Sequence, residues 1–342
     1  MSVLTVNPKL RSRRMMITMG SVLSLFSWVI GLDHAIMAQE PNIAAEKSVV
    51  SDRPDLLAMM VTEGVQLTPD KRFVLPRPDL VSIDGELVSS TEAEKAFAEI
   101  AGRHGDRFSK DSVVAPISVQ TDSINNDAGE RIGHFIDVAF VVHQTIEEIR
   151  KSEALEDFKR QDDPTRTIEL SDDKDADDFE KNRTRALTEE ELKTFGVSAD
   201  DEFETLGYLQ LPILSQVVVR GVARTRRSVW SEDDVDAPVI LTWLIDSRFR
   251  SDTPTDDSIA NQWRPIERSS TGEKYLGSPR SYAGLGGYVA ITPVPGTPEA
   301  SLVQIRFVLH EPQDWFSGRN LLRSKLPILV QDRVRNLRRE LQ

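Results

Sequence analysis

The sequence predicts an α+β protein whose antiparallel sheet packs on a long amphipathic helix at the C-terminus. Apolar and polar residues alternate in several runs after Leu206, as they do in strands with one face packed and the other wetter. Near the end of the chain the period changes, and apolar residues recur every three or four positions from Leu322 to Leu341. Turn residues separate the runs, which favours strands that fold back on one another.

The N-terminus has the features of an export segment. Four basic residues precede an uncharged apolar run over 15–32, and a cleavage site follows between Ala38 and Gln39. The length of this run is close to that of a bilayer-spanning helix, which needs about 20 residues. An uncleaved membrane anchor is therefore the second possibility, and a buried helix is the third. Arg13 and Arg14 form a pair, so export by the twin-arginine route is also possible. The sequence thus predicts that residues 1–38 are a signal peptide or anchor and that the domain works in the periplasm or the extracellular space.

Residues 39–131 lead up to the main domain. Residues 39–90 are rich in proline and polar side chains without a sustained period, which predicts a poorly structured lead-in with at most short elements. A small helix and a strand are predicted over 91–131. Thr91 and Glu94 can form a capping box for that helix, and residues 113–124 have strand character.

Residues 132–342 form the predicted α+β domain. A strand over 132–143 is followed by helical spacing over 145–159, and a strongly acidic stretch over about 160–200 then predicts a solvated insertion. Further strands are predicted over 216–230, 238–249, 288–294 and 301–310, with 293–298 as the loop of the last hairpin.

Pro327 interrupts the C-terminal apolar stripe. Because proline fits poorly in a helix interior, the main helix either starts near Ser324 or is kinked there. Basic residues cover the opposite face of this helix, namely Arg319, Arg323, Lys325, Arg333, Arg335, Arg338 and Arg339. These residues are either a basic contact patch or cations that are favoured near a helix C-terminus. In the second case they could face the acidic insertion.

The composition limits the classes of partner. The 342-residue chain has a formal net charge of −13, which argues against non-specific binding to nucleic acid or to an anionic membrane. Membrane contact is therefore expected only through the N-terminal segment. The chain has no cysteine, which excludes a lipid-modified N-terminal cysteine, disulfides and thiolate chemistry. The oligomeric state stays open.

No stretch matches a specific catalytic, metal or nucleotide motif. The histidines after the export segment form no metal-binding pair, and the run from Asp173 to Asp177 lacks the glycine and the glutamate that a calcium loop needs. The glycines over 284–287 lack dinucleotide spacing and predict a bulge or tight turn. No metal and no cofactor are predicted, and a non-enzymatic protein is favoured over an enzyme.

The order of elements from Ile132 to Leu341 resembles the START-like helix-grip fold. Residues 136–142 lead straight into 145–149, and the closing strand over 303–309 precedes the stripe over 322–341. The resemblance implies a curved sheet that wraps around the C-terminal helix and encloses an apolar cavity. Proteins of this fold commonly bind lipids, sterols or other apolar molecules, and some are enzymes. The long acidic insertion and Pro327 depart from the pattern.

The leading hypothesis is an exported, non-enzymatic module that holds a hydrophobic small molecule or lipid between the sheet and the C-terminal helix. The predicted cavity residues are Trp243, Leu241, Val303, Ile305, Phe307, Leu326 and Val330. Trp263 and Trp315 flank loops, either as a contact surface or as cover for the core edge. The alternatives are a structural or interaction protein of the cell envelope with a filled core, and an enzyme without a recognisable motif.

Overall fold

A computed structural model describes residues 55–82, 86–151, 185–194, 204–229, 237–255 and 259–341. The predicted export segment, with its Ala38–Gln39 cleavage site and the alternative anchor over 15–32, lies outside these residues. So does most of the acidic stretch, of which only 185–194 is described. No helix in the described part of the chain combines the length and the apolar character needed to cross a bilayer.

An antiparallel sheet forms the centre of the described structure. Its eleven described strands are β3 (Ser118–Asn125), β4 (Arg131–Val142), β5 (Arg185–Ala186), β6 (Glu204–Ile213), β7 (Val217–Val229), β8 (Val239–Ile245), β9 (Gln262–Arg268), β10 (Lys274–Leu276), β11 (Arg280–Ser281), β12 (Leu285–Val294) and β13 (Thr297–His310). The main order is β10-β9-β7-β8-β12-β13-β4-β3, while β6 pairs with β5 and β7, and β11 pairs with β9. Two further strands, β1 (Val65–Thr68) and β2 (Lys71–Phe73), form a separate hairpin.

The described α-helices are α1 (Leu56–Thr62), α2 (Ser90–Ala101), α3 (Ile146–Lys151), α4 (Glu189–Thr194) and α5 (Leu321–Glu340). The capping box of α2 is formed by Ser89 and Glu92, so the predicted pair of Thr91 and Glu94 was two residues late. Helix α5 begins at Leu321 because the Asn320 side chain accepts from a first-turn amide. Of the two predicted alternatives, a start near Ser324 was therefore wrong, and Pro327 lies inside the helix.

The last two strands form the predicted hairpin. Strands β12 and β13 pair along their length, with Val289 opposite Ile305, and Gly296 turns the chain with a φ of 74°. Such a positive φ suits glycine because it has no Cβ. The predicted bulge or turn over 284–287 was wrong, since Gly286 and Gly287 pair regularly within β12.

Helix α5 covers one side of the sheet, called here the inner face. Alternate apolar side chains of β4, β6, β7, β8, β12 and β13 form one buried cluster with the apolar stripe of α5. Because side chains alternate along a strand, one register places every second residue of each strand against the helix. The predicted α+β fold, with an antiparallel sheet packed on the C-terminal helix, is confirmed.

The opposite side, called here the outer face, is covered by the N-terminal part of the described chain. Helix α1, the β1–β2 hairpin and the extended residues 75–82, called here the strap, pack over β8, β12 and β13. Ile240, Tyr288 and Val308 on this face are completely buried. The prediction of a wetter second face was therefore wrong for the central strands, because residues 55–82 supply a second apolar layer.

Candidate functional site

All seven predicted cavity residues lie in the interior between the sheet and α5. They are Trp243 and Leu241 on β8, Val303, Ile305 and Phe307 on β13, and Leu326 and Val330 on α5. Each is buried and belongs to the same apolar cluster. The structure therefore brings the predicted set together, and its role as a ligand cavity stays a prediction.

A glycine allows the two largest of these side chains to approach each other. Gly287 on β12 lies opposite both Trp243 and Phe307, which flank it on the neighbouring strands. The two ring centroids are 6.5 Å apart at an interplanar angle of 45°. A Cβ at Gly287 would lie 2.4 Å from the Arg306 carbonyl oxygen and from the Cβ of Phe307, so no other residue fits there without backbone movement.

Several side chains of the inner face keep a little exposed surface. Leu241 and Ile291 keep 7% of their surface exposed, and Ile305 and Phe307 keep 5%. The outer face is similar, because Ile240 is completely buried there while Phe135 and Leu244 are only partly buried. Exposure therefore does not distinguish the two faces of the sheet.

Trp243 places a polar group inside this apolar interior. The side chain is 1% exposed, and its Nε1–H finds no acceptor among the described residues. A buried donor without a partner costs about 1–3 kcal/mol, so such groups are rare in folded proteins. Its neighbours on the inner face are apolar, so the described side chains around it offer no acceptor.

A group of aromatic side chains closes the interior near the start of α5. Trp315 stacks on Tyr282 at 5.9 Å, packs edge-on against Trp263 at 5.9 Å and contacts Phe316 at 5.8 Å. Trp263 and Trp315 are both buried, so covering the core edge is the interpretation that holds for them. The Nε1–H of Trp315 is a second buried donor without a partner in the described structure.

Two buried ionisable groups adjoin this aromatic group. Burial, reinforced by the Arg250 cation, lowers the pKa of His310 to about 4, so its ring is neutral at pH 7. Burial also raises the pKa of the Tyr282 hydroxyl well above its usual value, and that hydroxyl donates to the His310 carbonyl at 3.1 Å. Neither group carries charge into the interior at neutral pH.

Glu311 connects the end of β13 to β4. Its carboxylate contacts His134 Nε2 at 2.6 Å and Arg131 Nη2 at 2.7 Å, and His134 is completely buried. No partner for His134 follows from the sequence, whereas the structure pairs it with the Glu311 carboxylate 177 residues away. His134 lies two residues from Ile132 and from Ile136 in β4, and this spacing was the signal in the sequence that could have predicted its burial.

Arg306 attaches the strap to the outer face. Its guanidinium contacts Asp79 at 2.7 Å and Asp137 at 2.9 Å, and it donates to the carbonyl of Arg77. The Tyr288 hydroxyl donates to the Pro76 carbonyl at 2.8 Å. Burial raises the pKa of Asp137 in spite of the adjacent cation. The alternation in β13 predicted that Arg306 lies on the face opposite Ile305 and Phe307, but it did not predict the partners of Arg306.

Known proteins give little further guidance. No protein-family model matches the chain, and no curated protein matches it. Among solved structures, human STARD10 is similar over 75% of this chain and 84% of its own, with 11% identity and a TM-score of 0.32. CalU16 from Micromonospora echinospora is similar over 66% and 93%, with 8% identity and a TM-score of 0.21. Both superpositions are too loose to carry a fold or a function over to this chain.

Proposed function

We propose that this protein is an exported, non-enzymatic module that binds a hydrophobic small molecule or lipid between the inner face and α5. The observation that carries the proposal is the buried Nε1–H of Trp243, a donor without an acceptor among the described residues of this apolar interior. An apolar ligand with one acceptor, bound against this side chain, would satisfy the donor. Sites of this kind are mostly apolar with a few placed polar groups.

Two variants on one strand test the location of the ligand. Ile305→Phe adds volume on the inner face, while Leu302→Phe makes a similar change on the outer side of β13. Both are expected to lower stability by about 1–3 kcal/mol through overpacking. Binding of the apolar dye N-phenyl-1-naphthylamine, followed by fluorescence, is expected to fall at least about tenfold in Ile305→Phe only.

Trp243→Phe tests the polar part of the proposal, because it removes the N–H and keeps most of the ring. The variant is expected to bind the dye as the wild type does. Displacement of the dye by methyl palmitate, which offers a carbonyl acceptor, is expected to weaken by about fivefold, the equivalent of one hydrogen bond of about 1 kcal/mol.

Native mass spectrometry of the purified protein decides between this function and its alternatives. A bound apolar molecule would support the proposal. A clean apo mass together with no dye binding would overturn it and favour a cell-envelope interaction protein with a filled core. Export is tested separately by cell fractionation and N-terminal sequencing, for which a mature chain that starts at Gln39 is the expected result.

A further inference from the structure

His134 is a completely buried side chain on the inner face of the sheet. It lies directly opposite Leu309 on β13, which belongs to the apolar cluster of that face. Its diagonal neighbour on β13 is Phe307, one of the predicted cavity residues. Arg131, at the start of the same strand, donates to the carbonyl of Arg319 just before α5 at 3.4 Å. His134 therefore borders the interior in which the ligand is proposed to lie, near the start of the helix.

Glu311 fixes which nitrogen of the His134 ring carries the proton. Its carboxylate lies 2.6 Å from Nε2 of the ring and 2.7 Å from the Arg131 guanidinium. Because a carboxylate oxygen only accepts hydrogen bonds, Nε2 is the protonated nitrogen, and Nδ1 of the neutral ring is an acceptor. The Nδ1 atom is buried and has no partner among the described residues. It therefore needs a hydrogen-bond donor.

A second buried polar atom of this kind lies on the neighbouring strand. Thr121 on β3 pairs with Ile136, which is two residues from His134 on β4, so Thr121 and His134 are diagonal neighbours on the inner face. Diagonal neighbours are about 7–8 Å apart, which is close enough for their side chains to share one hydrogen-bonded oxygen atom. The Thr121 hydroxyl oxygen is buried and has no partner in the described part of the chain.

One hydroxyl group would satisfy both atoms. Its hydrogen is donated to His134 Nδ1, and its oxygen accepts from the Thr121 hydroxyl. An ether or carbonyl oxygen could accept from Thr121 but would leave Nδ1 without a donor. A carboxylate has no hydrogen to donate and would add a second negative charge beside that of Glu311. The two side chains therefore favour a neutral hydroxyl group.

This pair of side chains is separate from the Trp243 donor. Four residues lie opposite one another on successive strands, namely Trp243, Gly287, Phe307 and Ile136. His134 is two positions further along β4. With strands about 4.8 Å apart and a rise of about 3.4 Å per residue, His134 is roughly 16 Å from Trp243 along the sheet. A single hydroxyl group therefore contacts one of the two places but not both.

We propose that the ligand of the sheet–helix interior carries a hydroxyl group, which is bound by His134 Nδ1 and the Thr121 hydroxyl. This inference rests on the proposed function and specifies its ligand class, an apolar molecule with a free alcohol. Glu311 is a positioning residue, because it holds the His134 ring in the tautomer whose Nδ1 accepts.

The test uses the full chain and displaces bound N-phenyl-1-naphthylamine with two probes, 1-dodecanol and its methyl ether. Both probes offer an oxygen acceptor, but only the alcohol can donate. The wild type is expected to bind the alcohol about fivefold more tightly than the ether, as for the gain of one hydrogen bond. His134→Phe keeps a ring and removes Nδ1, so it is expected to bind the two probes alike. Binding of the dye shows that this variant is folded.

Variants of Thr121 test the other half of the pair. Thr121→Val removes the hydroxyl at nearly constant shape and is expected to weaken binding of the alcohol by about fivefold, whereas Thr121→Ser is expected to retain it. The matched control is Thr242→Val, because Thr242 lies opposite Tyr288 on the outer face. This control and Trp243→Phe are expected to keep the preference for the alcohol.

NMR of the ring nitrogens gives a readout that does not depend on affinity. In protein labelled with ¹⁵N-histidine, the His134 Nδ1 resonance is assigned by its absence from His134→Phe. It is expected to move when the alcohol is added and to stay in place with the ether. If the dye binds but both probes displace it equally and the resonance does not move, the inference is overturned and the proposed function stands. Absence of dye binding would overturn both.

Discussion

Replacement of Asp79 by alanine removes the partner that attaches the strap to β13. The Asp79 carboxylate accepts from Arg306 at 2.7 and 3.2 Å and from the Gln304 amide at 2.6 Å. The Arg306 side chain is 9% exposed and that of Asp79 is 30% exposed. Loss of one partner from a fully buried pair costs about 3–5 kcal/mol, and an exposed pair contributes about 0–1 kcal/mol. With the lost amide bond included, we expect Asp79→Ala to lower the free energy of unfolding by about 2–3 kcal/mol.

Two measurements check this prediction. Equilibrium urea unfolding gives the loss of stability, and hydrogen exchange shows whether amides of the strap over 75–82 lose protection before those of β13. The matched control is Asp127→Ala, because Asp127 also pairs with a cation at 3.2 Å but is 99% exposed. We expect the control to cost less than about 0.5 kcal/mol. If the two variants lose equal stability, or if all amides lose protection together, the Arg306 cluster does not hold the strap.

Three further predictions concern stability. The pKa of His310 is about 4 in the folded protein and near 6.5 in the unfolded chain, so the free energy of unfolding should fall by roughly 2–3 kcal/mol between pH 6.5 and 4. In His310→Asn, the free energy of unfolding measured in urea should depend less on pH across that window. The same pH dependence in the variant and the wild type would contradict this. Gly287→Ala should cost about 3 kcal/mol in the same assay because its Cβ meets backbone, and a wild-type midpoint would refute the close approach. Ser89→Ala should cost about 1 kcal/mol while Thr91→Ala costs almost nothing; the reverse order would restore the capping box predicted from the sequence.

The sequence predicted the elements whose pattern is local. Period-two alternation was enough for β4 and β13, and the apolar stripe was enough for α5, since each element carries its own spacing. The same spacing selected Trp243, Ile305 and the other residues of the inner face. Strands β9, β10 and β11 were not predicted, because β10 and β11 have only three and two residues and the apolar side chains of β9 do not alternate.

Features that join distant parts of the chain could not be predicted in this way. The second apolar layer over 55–82 has no strong period of its own and becomes recognisable only when it lies on the outer face. The partners of Arg306 in the strap and in β4 are 169 to 229 residues away from it, and Glu311 is 177 residues away from His134. A single sequence shows such side chains as isolated polar residues, because contact between remote positions depends on the completed sheet.

The position of the strap has a consequence for how the molecule folds. Pro76 and Asp79 lie at the start of the described chain, yet their partners Tyr288 and Arg306 are 212 and 227 residues later. Contacts this remote in sequence slow folding, because the chain must close a very long loop before they form. During synthesis, α1 and the β1–β2 hairpin emerge early and keep their apolar side chains uncovered until β12 and β13 are complete. An interrupted chain that lacks these two strands would therefore expose an apolar layer prone to aggregation.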